Sequence, residues 1–234
     1  MLLSGIQKFT LLDYPEKLAC MVFTPGCNFR CGYCHNPEFV LPEMIQEIKN
    51  SFIPEEVFFK FLKKRQGKLE GVVITGGEPT IMGDLIPFMR RVKDLGFALK
   101  LDTNGNKPEV LQQAIDENLV DYIAMDVKTS LGEYKKLVGE RAFEIKLAQS
   151  IDKIKKSNVS SEFRSTLIKE IHTDEILKAM QDILKGTKKL YLQNFRPATT
   201  LNPLFQSFHP FSEEKMKDIK RAFESVVESV EIRA

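Results

Sequence analysis

The chain of 234 residues carries 34 Lys and Arg against 32 Asp and Glu, a formal net charge of +2; so even a balance gives no footing for nucleic acid or an anionic membrane as partner. Hydrophobic residues make up 43%, enough for one sizeable core, and the length suits a single domain of barrel size. Four cysteines are too few, in a chain this long, to make a disulfide scaffold. No stretch approaches the ~18 consecutive apolar residues of a membrane span, and the apolar run within Met1–Lys8 is too short for a signal peptide, so the cytoplasm is the expected compartment.

In chain order, residues 1–17 read as a turn before the first strand, with Tyr14-Pro15 as its signal. The apolar run Leu18–Phe23 suits a strand buried on both faces, with Cys20 as a small core hydrophobe. It leads into 24–37, where Cys27, Cys31 and Cys34 stand at the spacing C-x3-C-x2-C and Tyr33 precedes the last of them. A disulfide would use two of these thiols and strand the third. A structural zinc site needs a fourth ligand, which Cys20 or His35 could supply. Three thiolates around a four-iron cluster would instead leave one iron open to a further ligand.

Residues 38–53 read as a long loop or lid. Pro54–Arg65 predicts a helix with Pro54 in its first turn and Val57, Phe58, Phe61 and Leu62 on the buried face. Gly71–Thr75 is a short buried strand running into Gly76-Gly77-Glu78-Pro79-Thr80, where glycines permit close approach of the backbone to a ligand. A helix follows from 84 to 95. Phe97–Asp102 is the third strand and ends in Asp102-Thr103-Asn104-Gly105, either an Asx turn or polar groups facing the mouth of a sheet. Pro108–Asn118 is helical. Asp121–Lys128 is the fourth strand, ending in Asp126-Val127-Lys128; a lysine suits a carboxylate, and Asp126 could orient it or share a small cation with Asp102.

Helical patterning over 131–156 breaks near Gly139. Val159–Leu167 is the fifth strand and contains Arg164; Asp174–Leu184 is an amphipathic helix; Lys189–Phe195 is the sixth strand, with Phe195 either in the core or against a ligand. His172 and His209 read as surface or packing residues. Glu213–Ser229 reads as a terminal helix closing the core. Strands alternating with helices, joined by right-handed crossovers, give a parallel α/β sheet, with a core over about 17–197 and a closing segment over 198–234. A doubly wound sheet and a barrel both satisfy this pattern.

Four of these stretches resemble the motifs of the radical S-adenosylmethionine (SAM) enzymes: the cysteine loop at 24–37, Gly76-Gly77-Glu78-Pro79, the strand end at 101–105, and Asp126-Val127-Lys128. The resemblance implies a partial (β/α)6 barrel with parallel strands. It implies a [4Fe-4S] cluster on Cys27, Cys31 and Cys34, whose open iron takes the amino and carboxylate groups of SAM. It further implies SAM contacts from Tyr33, Gly76, Gly77, Glu78, Asp102, Thr103, Asp126, Lys128 and Arg164.

Within the family, Asp126-Val127-Lys128 is similar to an element of glycyl radical enzyme activases. Phe9–Glu16 resembles their entry segment, but Asp13-Tyr14-Pro15-Glu16 stands where many of them carry Asp-Gly-Pro-Gly; taken with the cysteine loop that follows, it looks more like the branch that activates anaerobic ribonucleoside-triphosphate reductase. The implied activity is reductive cleavage of SAM to methionine and a 5′-deoxyadenosyl radical, which takes a hydrogen atom from a glycine of the partner. The implied electron donor is a low-potential protein such as flavodoxin or ferredoxin. Two alternatives stand beside this reading: a small-molecule radical SAM enzyme like 7-carboxy-7-deazaguanine synthase, and a non-catalytic zinc or electron-transfer module.

Overall fold

The computed structural model describes residues 1–233. They group into two compact units, the first made of Met1–Asn28, Pro37–Thr103 and Glu109–Ile123, the second of Phe29–Asn36, Asn104–Pro108 and the residues from Ala124 onward.

The first unit opens with β1 (Leu2–Leu3), β2 (Gly5–Thr10) and β3 (Ala19–Thr24). Residues 1–17, read from sequence as a turn, thus contain two strands. β2 runs antiparallel to β3, with Ile6 opposite Val22, and its ladder is irregular between Gln7 and Thr10. Its exposed polar stretch Gln7-Lys8 leaves the strand without an apolar run to mark it.

Next come α1 (Pro42–Ile48), β4 (Ile53–Pro54), α2 (Glu55–Lys63), β5 (Gly71–Gly76), α3 (Leu85–Asp94), β6 (Ala98–Thr103), α4 (Pro108–Asp116) and β7 (Tyr122–Asp126). The stretch 38–53, expected to be a loop, holds α1 and the short strand β4, which pairs antiparallel with β1. Pro54 lies in that strand rather than in the helix.

β3 is parallel to β5, and β5 to β6, with Met21 opposite Val73 and Val73 opposite Lys100. β3 and β5 are buried almost throughout, as a sheet covered on both faces requires. α2 buries Phe58, Phe59 and Leu62, whereas Val57 is 52% exposed. The helix is therefore turned one residue from the predicted face. The cause is Phe88 on α3, whose ring lies 5.5 Å from that of Phe58 and 5.2 Å from that of Phe59. The Asp121 N–H donates to the Leu99 carbonyl at 2.8 Å and leads the start of β7 in beside β6.

The second unit contains the end of β7, then α5 (Tyr134–Val138), α6 (Glu144–Lys156), β8 (Ser160–Leu167), α7 (Asp174–Leu184), β9 (Lys189–Asn194), α8 (Glu213–Glu224) and β10 (Ser229–Arg233). Gly139, at φ +93°, stops α5 where the sequence predicts a break. β8 and β9 are parallel, with Ser165 opposite Leu192. The terminal helix is shorter than expected: α8 stops at Glu224, and β10 adds a parallel strand to β9 with Val230 opposite Leu190. Val226 and Val227 continue the helical spacing of apolar residues past the true end of α8, which masks the strand. Among the described residues no helix is long and apolar enough to cross a membrane.

Candidate active site

In the second unit, the ends of β7, β8 and β9 bring Asp126, Lys128, Arg164, Thr166 and Gln193 together with Tyr33 around a polar pocket of about 150 Å³. The Arg164 Nε donates to Asp126 Oδ1 at 2.8 Å, and the Lys128 Nζ donates to Asp126 Oδ2 at 3.2 Å. The same ammonium lies 5.9 Å from the centre of the Tyr33 ring, within cation–π range. Burial pushes the Asp126 carboxyl upward, but Arg164 and Lys128 more than reverse this and hold it at about 2. Burial works against the Lys128 ammonium, and Asp126 keeps it charged well above the ordinary lysine range. Two cations and one carboxylate leave the lining with a net positive charge, a chemistry that takes an anion the size of a carboxylate. Arg164 and Thr166 share a face of β8, and Thr166 stands opposite Gln193 in the ladder. Sequence reasoning missed Thr166 and Gln193; counting two residues on from Arg164 would have found the first.

The cysteine loop divides between the units. Cys27 belongs to the first, Cys31 and Cys34 to the second. None of the four cysteines is in a disulfide. In the second unit the Cys34 N–H donates to the Cys31 carbonyl at 3.0 Å, closing a tight turn. The Leu201 N–H donates to the Cys34 carbonyl and the Asn202 N–H to the Gly32 carbonyl, both at 2.9 Å. Phe205 lies flat enough on Gly32 that a Cβ there would sit 2.1 Å from its ring, and its ring centre is 6.2 Å from that of Tyr33. Burial pushes the Cys31 thiol up to about 11, with Lys128 acting in the opposite direction.

His35 stacks on the fully buried Phe195 at 6.3 Å, which accounts for Phe195 as a packing residue. Cys20 is wholly buried in β3, and burial pushes its thiol up to about 12, as a core hydrophobe should behave. Within either unit, the described residues include no group of three or more His, Cys, Asp or Glu that could hold a metal ion.

In the first unit the turn after β5 is fastened to the start of the cysteine loop. The Gly77 N–H donates to the Thr24 carbonyl at 2.9 Å and the Glu78 N–H to the Gly26 carbonyl at 2.8 Å. Gly76 adopts φ +118°, where an L side chain is strained. A Cβ on Gly77 would stand 1.9 Å from the Gly26 oxygen. The Glu78 side chain is 1% exposed, and its Oε1 accepts from the Thr80 N–H at 3.1 Å, from the Thr80 hydroxyl, and from the Thr103 hydroxyl at 2.7 Å.

The sequence leads one to expect Asp102 and Thr103 to face one mouth together. The strand period sends them to opposite faces instead: Thr103 meets Glu78, while Asp102 accepts from the Lys100 ammonium at 2.7 Å as a buried pair. Asp102 and Asp126 also belong to different units, and each carboxylate already has a cation of the protein beside it.

His172 is buried and His209 exposed, the latter paired with Glu170 at 2.7 Å.

Residues 21–183 match the model of the radical SAM superfamily, and the chain belongs to that superfamily. It is a radical SAM enzyme, of a family that works with a [4Fe-4S] cluster and SAM. Among its relatives is a protein of Methanocaldococcus jannaschii provisionally named a glycyl-radical enzyme activating enzyme, 34% identical over 99% of this chain and 95% of that one. The 7-carboxy-7-deazaguanine synthase of Thermococcus kodakarensis is 24% identical over 79% of this chain and 77% of that one. The crystal structure of Streptococcus suis SuiB bound to S-adenosylmethionine superposes with a TM-score of 0.62 at 13% identity, covering 92% of this chain. At that identity the likeness speaks for the fold alone, and this chain spans about half of SuiB (52%).

Proposed function

We propose that this protein is a glycyl radical enzyme activase and that its partner is anaerobic ribonucleoside-triphosphate reductase. The observation that carries the activase reading is the end-to-end similarity to the M. jannaschii relative, which leaves little of either chain uncovered. The choice of partner rests on Asp13-Tyr14-Pro15-Glu16 together with the cysteine loop.

In this reading Cys27, Cys31 and Cys34 hold the cluster. The donor set fits: three thiols at C-x3-C-x2-C spacing on one loop, with none committed to a disulfide. The pocket of Lys128, Arg164 and Asp126 receives the carboxylate of SAM, with Asp126 orienting both cations and Tyr33 bordering the site. Bound there, cluster and SAM supply one-electron cleavage of the sulfonium and abstraction of a hydrogen atom from the partner's glycine. The chain's own work is to bind, orient and exclude water. Gly76 and Gly77 shape the turn that the backbone presents, and Thr80 and Thr103 hold Glu78 beneath it. Asp102 braces β6 through Lys100. A low-potential flavodoxin or ferredoxin delivers the electron.

The second reading is a small-molecule radical SAM enzyme, favoured by the similarity to 7-carboxy-7-deazaguanine synthase over most of both chains. The deciding experiment is anaerobic reconstitution, iron analysis, and incubation with SAM, dithionite and the reductase subunit that bears the glycine. The expected result is 5′-deoxyadenosine together with an organic radical on the partner in electron paramagnetic resonance, both lost in Cys31→Ala. SAM cleavage with a partner that stays silent in the spectrometer would overturn the activase assignment and favour the small-molecule reading.

A further inference from the structure

Lys128 sits just beyond β7, where the sheet no longer supplies its backbone partners. Just past β7 the Val127 N–H donates to the Arg164 carbonyl at 2.8 Å, and the Val127 carbonyl accepts from a side chain, the Ser165 hydroxyl, at 2.7 Å. Both main-chain groups of Lys128 are taken by side chains. Its N–H donates to the Tyr134 hydroxyl at 2.9 Å, and its carbonyl lies 3.0 Å from His172 Nε2. Nδ1 lies 2.9 Å from the Ile168 N–H and 3.1 Å from the Ile168 carbonyl; the N–H can only donate, so in the neutral ring Nδ1 accepts and Nε2 carries the proton towards the Lys128 carbonyl. His172 and Tyr134 are 1% and 0% exposed. Neither is explained by filling a core alone, since each aims its polar atom at the same residue. Ile168 directly follows β8, so the imidazole ties the end of β8 to the end of β7, the two strands that carry Arg164 and Asp126.

We propose that His172 is a positioning residue for the SAM pocket: through its Nε2–H it fixes the backbone of Lys128, and with Tyr134 it sets where the ammonium stands against Asp126 and Arg164. The inference rests on the reading of Lys128 as the group that meets the SAM carboxylate. Substitution can separate the two nitrogens. Asn in place of His172 keeps an acceptor where Nδ1 stands and loses the reach to Lys128. Gln keeps a donor where Nε2 stands.

The test is calorimetric titration of SAM onto the anaerobically reconstituted protein, with thermal unfolding recorded for every variant and the KM for SAM measured beside kcat. His172→Asn should weaken SAM binding by about 3- to 10-fold, the worth of one ordinary hydrogen bond, and raise KM at unchanged kcat. His172→Gln should return to within about twofold of the wild type. Tyr134→Phe should repeat the loss, and stands in for His172→Asn should that variant not fold. Wild-type affinity in both His172→Asn and Tyr134→Phe, or equal loss in the Asn and Gln variants, would overturn the positioning role. Lys128→Ala distinguishes the two levels: if it binds SAM as the wild type does, the pocket assignment itself fails and the role of His172 falls with it.

Discussion

Replacing Gly77 by alanine tests how tightly the turn after β5 is built against the cysteine loop. A Cβ at that position would lie 1.9 Å from the Gly26 oxygen, 2.6 Å from the Gly26 carbonyl carbon and 2.9 Å from the Phe39 oxygen. All three are backbone atoms, so no side chain can swing away, and the peptide before Cys27 has to move. Overpacking of this kind costs about 1–3 kcal/mol. The shift also strains the bond from the Glu78 N–H to the Gly26 carbonyl, worth about 1 kcal/mol more. A total of about 2–4 kcal/mol lowers Tm by roughly 5–15 °C in a domain of this size. Gly83→Ala is the control, because nothing lies within 4 Å of the place its Cβ would take, and a residue there should be neutral or stabilise by about 0.4–1 kcal/mol. The assay is anaerobic thermal unfolding of both variants, with iron content after reconstitution. Gly77→Ala melting within about 1 °C of the wild type, with undiminished iron, would refute the reasoning.

Thr103→Val removes one of the donors to the buried Glu78 carboxyl while conserving shape, and should cost about 1–3 kcal/mol in guanidinium unfolding; an unchanged midpoint would show that Thr103 does not hold Glu78. Asp126 makes the fold acid-sensitive. Its carboxyl is held at about 2 against an ordinary 3.8, so its contribution is complete above 3.8 and is lost as pH falls towards 2. The shift corresponds to at most about 2 kcal/mol, which solvent reaching the partly open carboxylate reduces to about 1. Burial holds His172 below 6.5, so a further loss of the same sign sets in as pH falls through 6.5. Asp126→Asn should flatten the stability profile between pH 4 and 2 only; an identical acid limb in that variant would place the sensitivity elsewhere.

The parallel core was legible because its strands are apolar runs ending at glycines or at charged residues, as at Gly76 and Lys128. The edges were not. β2 alternates weakly and carries Gln7-Lys8, and β10 follows a helix whose apolar spacing runs on through Val227. Asp102 and Thr103 show a different limit: both are polar residues at a strand end, and only the pleat decides which face each serves. Of the candidate pocket, the contiguous element Asp126-Val127-Lys128 was legible. Thr166, Gln193, Tyr134 and His172 are scattered along the chain, and their common destination is set by the register of β8 with β9 and by the way Lys128 leaves the sheet. No local pattern contains that information.

The bonds from Leu201 and Asn202 onto the cysteine loop also carry a message about timing. The turn of Cys31 to Cys34 acquires its final backbone partners, and Gly32 its aromatic cover from Phe205, only when a segment synthesised far behind it arrives. The backbone geometry of this turn is therefore settled by residues about 170 positions further along the chain.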